Sequence, residues 1–350
     1  MTADAGGERL RPVLDRMAEA ATDWLASLRP AQRAKAGYPF TATQERTRWS
    51  YTPNEQGGLP LAEMGPVQQR LAHRLMASGL SEGGYAAAAT IMGLENTLDA
   101  VEGWREPYPG RAGPNRGRDP LLYFVSVFGE PGAGSWGWRV GGHHLALNYT
   151  VVDGRRLSAS PLFLGANPAL TRLVGPGVVR PLAAEEDLAR ELLASLAPDQ
   201  RRRAVLSPVA PDDLVQSNRP VVDVGPPEGL AAARMPPRQR ELLLALLRQP
   251  AALAALARSQ RRRRESTFRR AVAPLERAGQ RCGRGSARSY RRADTRAWGS
   301  PRARGRRGGS RARGSEACGA IFSAPPATAP ATTMGAAALQ GRRLKTHGVE

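Results

Sequence analysis

The chain has 350 residues and a formal charge of +20, a length that suits one or two domains. The charge is uneven: residues 261–350 hold 22 Lys+Arg against 5 Asp+Glu and only 8 Ile, Leu, Val or Phe, too little apolar surface to offset chain entropy. No apolar run approaches the ~20 residues that span a bilayer and no apolar leader opens the chain, which excludes a membrane span and argues for the cytoplasm. Leu10 to Leu28 places Leu14, Met17, Ala21, Trp24, Leu25 and Leu28 at helical spacing before Pro30, which predicts a first amphipathic helix. Tyr38 to Pro66 is rich in Pro and Gly and reads as an ordered irregular segment. Helical periodicity returns at Val67 to Met76, and Ser81 is placed to cap an Ala-rich helix running to about Trp104.

After a Gly, Pro and Arg loop, LLYFVSVFG, bounded by Pro120 and Gly129, is the first clear strand. WGWRVGGHHLALNYTVVDG follows a glycine-rich turn, and RRLSASPLFLG comes back after Asp153-Gly154, a dipeptide that favours a tight hairpin turn. From Leu182 the pattern is helical again through Leu188, Leu192 and Leu196, with further helices expected at Asp199 to Leu206 and Arg238 to Leu247. Helices, then hairpin-linked strands, then helices imply an α+β fold with helices flanking an antiparallel, hairpin-rich sheet. Residues 1–256 are expected to form that unit and residues 257–350 a disordered Arg-rich tail. Both cysteines, Cys282 and Cys318, lie in the tail, so the folded part has no disulfide, thiolate metal site or cysteine nucleophile.

The segments RTRWSYTP, GLPLAEM, LSEGGY, RDPLLYFVSVFGEP, WGWRVGGHHLALNYT and FLGANPA, in this order, resemble the bacterial family catalogued as domain of unknown function 3500 (DUF3500). The resemblance covers roughly residues 20–256 and is most specific from Arg118 through Thr150. It implies a fold and no activity, because none is established for the family. It also implies further Tyr- and Trp-rich strands and a His-containing motif after the last helix, yet from Arg258 the chain reads RSQRRRRESTFRR and then mainly Arg, Gly, Ala, Ser and Pro. With 49 Arg to 2 Lys in the chain, GC-rich codons read out of frame from near Ala257 would produce such a tail and leave the domain incomplete.

Chemistry has to be sought in single residues. Read as one strand of regular alternation, Trp136 to Val152 puts His143 on a core face with Leu145, Leu147, Tyr149 and Val151. The same alternation puts His144 on a polar face with Trp138, Ala146, Asn148 and Thr150, like a pocket wall. His144 and Asn148 are therefore the leading catalytic candidates, with Arg118 and Asp119, just before the first strong strand, as partners. The His143–His144 doublet could ligate a divalent metal if a bulge at Gly141-Gly142 brought both rings to one side. The competing reading makes both histidines hydrogen-bonded structural residues and gives Asp119 only turn geometry. Arg48, Trp49 and Tyr51 could form an aromatic lid over a polar ligand, or anchor a loop by a buried Trp. His73, between Arg70 and Arg74, reads as a boundary residue. No Gly-Lys-Ser/Thr loop and no GxSxG motif occurs.

Three function classes stay open. One is a His-centred enzyme, a metal-dependent or general acid/base hydrolase acting on a small polar substrate. The second is a ligand-binding or structural module without chemistry. The third is non-specific nucleic-acid binding through the basic tail.

Overall fold

The computed structural model describes residues 5–105, 117–172, 177–209, 213–214, 216–223, 226 and 228–254. The basic tail lies outside them, so its proposed disorder, its frame and its nucleic-acid role belong to residues that are not described. The described chain is α+β, as the sequence pattern implies.

The predicted first amphipathic helix is α1 (Ala5–Ala26), whose stripe Val13, Leu14, Met17, Ala20, Ala21, Trp24 and Leu25 is buried. The short helix α2 (Pro30–Ala36) leads into β1 (Gly37–Tyr38), and the irregular segment beyond contains α3 (Thr43–Thr47) and β2 (Leu59–Pro60). Helix α4 (Pro66–Gly79) packs along α1 through Ala72, Leu75 and Met76, while Arg74 clamps Glu19 and Asp23 from outside. Ser81 caps α5 (Glu82–Val101) as expected, its Oγ accepting from the Gly84 N–H at 3.0 Å.

Four longer strands follow: β3 (Phe124–Phe128), β4 (Trp136–Gly142), β5 (Leu145–Val152) and β6 (Arg156–Leu164). The sheet order is β1-β3-β4-β5-β6, with β2 also on β3. Its pairings are antiparallel except that of β1, which runs parallel to β3, so the sheet is mixed at that edge. The β5–β6 hairpin turns at Asp153-Gly154, both at positive φ, as that dipeptide predicts.

One expectation is corrected here. Trp136 to Val152 is two strands, with His143 and His144 as the turn between Gly142 and Leu145. The fold over reverses the parity: Trp138 pairs with Tyr149 and faces the helices, while Asn148 pairs with Arg139 on the other face. Nothing in His-His announces a turn as Asn-Gly would, but His144 sits at φ 57, a region that His enters more readily than most residues.

The inner face, from Val125 and Val127 through Trp138, Val140, Leu145, Leu147 and Tyr149 to Leu162, forms the main core with α1, α4 and α5. The outer face carries Ser126, Arg139, Asn148 and Phe163 and is covered by the segment around Trp49 and Tyr51. Three more helices, α6 (Ala183–Ser195), α7 (Pro198–Ala204) and α8 (Pro237–Leu253), stand near the expected places and share a small core at Ala204, Leu230 and Met235. Among the described residues no helix is long and apolar enough to cross a membrane.

Candidate functional site around the histidine turn

Helix α5 is apolar on the side it presents to the sheet, yet Glu95 and Asp99 interrupt its stripe of Ile91, Leu94 and Leu98, and both are buried. An acid in such a place needs a polar partner. Glu95 meets the turn: its Oε1 stands 2.6 Å from His143 Nδ1, with the two side chains 3% and 10% exposed respectively. The Tyr123 hydroxyl donates to the His143 carbonyl at 2.9 Å. Burial, reinforced by the Glu95 charge, raises the Tyr123 pKa well above its usual value and keeps the phenol protonated.

The His144 backbone N–H donates to the Tyr51 carbonyl and its carbonyl accepts from the Gly165 N–H, both at 2.8 Å. This holds the two imidazole rings against each other, centroids 4.0 Å apart. Arg118 is fixed on Glu102 by two bonds of 2.8 and 3.0 Å, close enough for its charge to act on both rings. Burial first, then the Arg118 charge, lower the His143 pKa to about 3, with Glu102 opposing them. His144 is lowered as well, by burial, by His143 and by Arg118. Both imidazoles are therefore neutral at neutral pH. A neutral His143 has one ring proton, and the adjacent carboxylate favours it on Nδ1, leaving Nε2 as the acceptor.

Sequence reading placed a site at His144, Asn148, Arg118 and Asp119, and the structure brings only part of it together. Arg118 stands by the histidines. Asp119 instead accepts the Leu121 N–H at 2.9 Å, a turn role. Asn148 lies on the outer face in register with Arg139, its Nδ2 donating to the Pro161 carbonyl at 3.5 Å. Of the proposed lid, Trp49 and Tyr51 pack with Phe163 at centroid distances of 5.2–5.9 Å. Trp49 Nε1 donates to the Arg219 carbonyl, the Tyr51 hydroxyl donates to Asp213, and Arg48 pairs with Glu45. His73 is half-buried, with a ring nitrogen 3.2 Å from the Tyr85 hydroxyl.

Sequence reading missed Glu95, Tyr123, Glu102 and Arg139. For Glu95 a signal was present, an acid inside the apolar stripe of a helix. Tyr123 and Glu102 carried none. Among the described residues, no group of three or more His, Cys, Asp or Glu side chains is arranged to hold a metal ion. Two surface hollows, one beside Arg203 and Arg234 and one beside Arg29 and Lys35, share no lining residue with the histidine turn.

The fold and this turn define an α+β domain in which His143, at a hairpin turn, is tied to helix α5 through Glu95. The chain belongs to the family described as "Protein of unknown function (DUF3500)", which it matches over residues 11–272. Neither the curated proteins nor the solved structures yield a match.

Proposed function

We propose that the protein is a His-centred hydrolase acting on a small polar substrate by general acid/base chemistry, with His143 as the base and Glu95 as its orienting carboxylate. The observation that carries this reading is the 2.6 Å contact between His143 Nδ1 and Glu95 Oε1. A carboxylate on one ring nitrogen fixes the tautomer, directs the other nitrogen outward and offsets the positive charge that appears when the ring accepts a proton. His144 supplies a second neutral imidazole in contact with the first. Arg118 would orient an anionic portion of the substrate while remaining on Glu102. A metal-dependent version would use His143 and His144 as ligands, and stoichiometric metal in the purified protein would support it.

One observation favours a second reading, a ligand-binding or structural module: the Glu95 and His143 side chains are both largely buried, as expected of a polar brace between α5 and the hairpin. The test is hydrolysis of p-nitrophenyl acetate by the full chain, compared with Glu95→Gln and His143→Ala. The hydrolase reading expects each variant to lose at least about 100-fold in rate, the lower end of an acid/base contribution, while circular dichroism stays native. Wild-type turnover no faster than buffer, or His143→Ala as active as wild type, refutes it.

A further inference from the structure

Arg139 has no part in the chemistry proposed above, yet it is among the most deeply buried charged groups described, at 2% exposure. Its Nη1 donates to the carbonyls of Glu45 (2.8 Å) and Arg48 (2.7 Å), and its Nη2 to Glu45 Oε1 (2.6 Å), the Gly57 carbonyl (3.0 Å) and Ser126 Oγ (3.3 Å). Four of these five acceptors belong to the segment from Glu45 to Gly57. Without the guanidinium the Arg48 carbonyl would lose its donor, a costly loss beneath a covered sheet face, while the Glu45 carbonyl, the Glu45 carboxylate and the Gly57 carbonyl would fall back on the Arg48 N–H at 3.3 Å, Arg48 Nε at 3.3 Å and Ser126 Oγ at 3.1 Å. The same segment contains Tyr51, whose carbonyl receives the His144 N–H at 2.8 Å. Arg139 and the histidines thus belong to one closed circuit: β4 runs from Arg139 to the turn, and the segment returns from the turn to Arg139.

We infer that Arg139 is a positioning residue for the histidine turn, acting through the segment Glu45–Gly57 and the Tyr51 carbonyl. The inference rests on reading that turn as the site. Gly57 belongs to the same joint, because a Cβ there would stand 1.9 Å from Glu45 Oε1 and push the carboxylate off Arg139. A lysine at 139 would bring three donors to five acceptors and lack the planar fork.

The experiment compares the full-length wild type with Arg139→Lys, Gly57→Ala and Glu45→Gln. Leu230→Ala, in the small core under α7, serves as a purely destabilising control. Thermal unfolding is read beside NMR titration of the imidazole resonances. Arg139→Lys and Gly57→Ala should move the resonances of both histidines and raise the His143 titration by at least about one pH unit toward its ordinary value, as the turn loosens and water reaches the ring. Glu45→Gln, which keeps the backbone acceptors and a partly exposed side chain, should give a smaller shift of the same sign. Leu230→Ala should lower the melting temperature and leave both titrations in place. If the Arg139 joint only stabilises the fold, its variants will behave like Leu230→Ala, and that result overturns the inference. Should Arg139→Lys fail to fold, Gly57→Ala and Glu45→Gln decide the matter by the same readout. The titrations do not depend on turnover, so an inactive wild type would sink the hydrolase reading and still leave the positioning role tested.

Discussion

Lowering the pH should destabilise the fold through its buried histidines, and the sign follows from where their protons bind. His143 takes up a proton at about pH 3 in the folded chain, against 6.5 for the ordinary group. Between those values the unfolded chain binds more protons than the folded one, so stability is fully present above about pH 6.5 and falls as pH falls toward 3. One pH unit in that window is worth about 1.4 kcal/mol per group. Going from about pH 6.5 to about pH 4.5 should therefore remove roughly 2 kcal/mol through His143 alone, a large share of the stability of an ordinary domain. His144 and His73, both held low by burial, add to the loss with the same sign. Urea unfolding of wild type and His143→Gln across this window isolates the His143 share, because glutamine does not titrate. The variant should be less stable at neutral pH, and its loss on acidification should be smaller by about 2 kcal/mol. Equal pH dependence in the two proteins would mean that His143 titrates normally when folded, which contradicts the burial that lowers its pKa.

The inner core offers a tighter test at Gly79, where an added Cβ would stand 2.5 Å from Trp138 Cζ2 and 2.8 Å from Tyr149 Cε2. Gly79→Ala should gain up to about 1 kcal/mol of helix propensity but lose about 1–3 kcal/mol to overpacking, so thermal unfolding should show a lower melting temperature; a higher one would refute the close packing. For the tail, the other two reading frames of the gene beyond the codon for Val272, where the family match ends, should return an aromatic sequence with period-two alternation. If neither does, the basic stretch is native, and steep salt-dependent nucleic-acid binding becomes the expectation.

What the sequence made legible was local. Ser81 caps α5 and Asp153-Gly154 turns the β5–β6 hairpin because each acts through its own backbone. The periodicity of α1 shows because one continuous stripe meets one core. The two-residue strand β1 is too short for any periodicity, and its parallel pairing with β3 joins Tyr38 to Phe128 across ninety positions. The site failed to show for a related reason. Reading Trp136 to Val152 as one strand grouped Asn148 with His144 and Trp138, whereas the turn at His143-His144 sends Trp138 to one face and Asn148 to the other. His143 then looked like a core residue because its partner, Glu95, lies 48 positions earlier on a helix. Strand alternation carries no information about such a partner.

The depressed titration of His143 also determines which substitution separates the two readings of the turn. General base catalysis works best when the conjugate acid has a pKa near the working pH, and an imidazole near 3 is by itself a weak proton acceptor at neutrality. On the hydrolase reading, catalysis at this ring would therefore depend on Glu95, whose carboxylate at 2.6 Å would stabilise the imidazolium at the moment it forms. Glutamine at position 95 would keep nearly the same shape and could still accept from Nδ1–H, so a structural brace would survive it with modest loss. It could not balance the positive charge of the proton-bearing ring. Glu95→Gln thus separates a hydrogen bond from a charge: a folded variant without turnover assigns the carboxylate to chemistry, and one that retains turnover assigns it to packing.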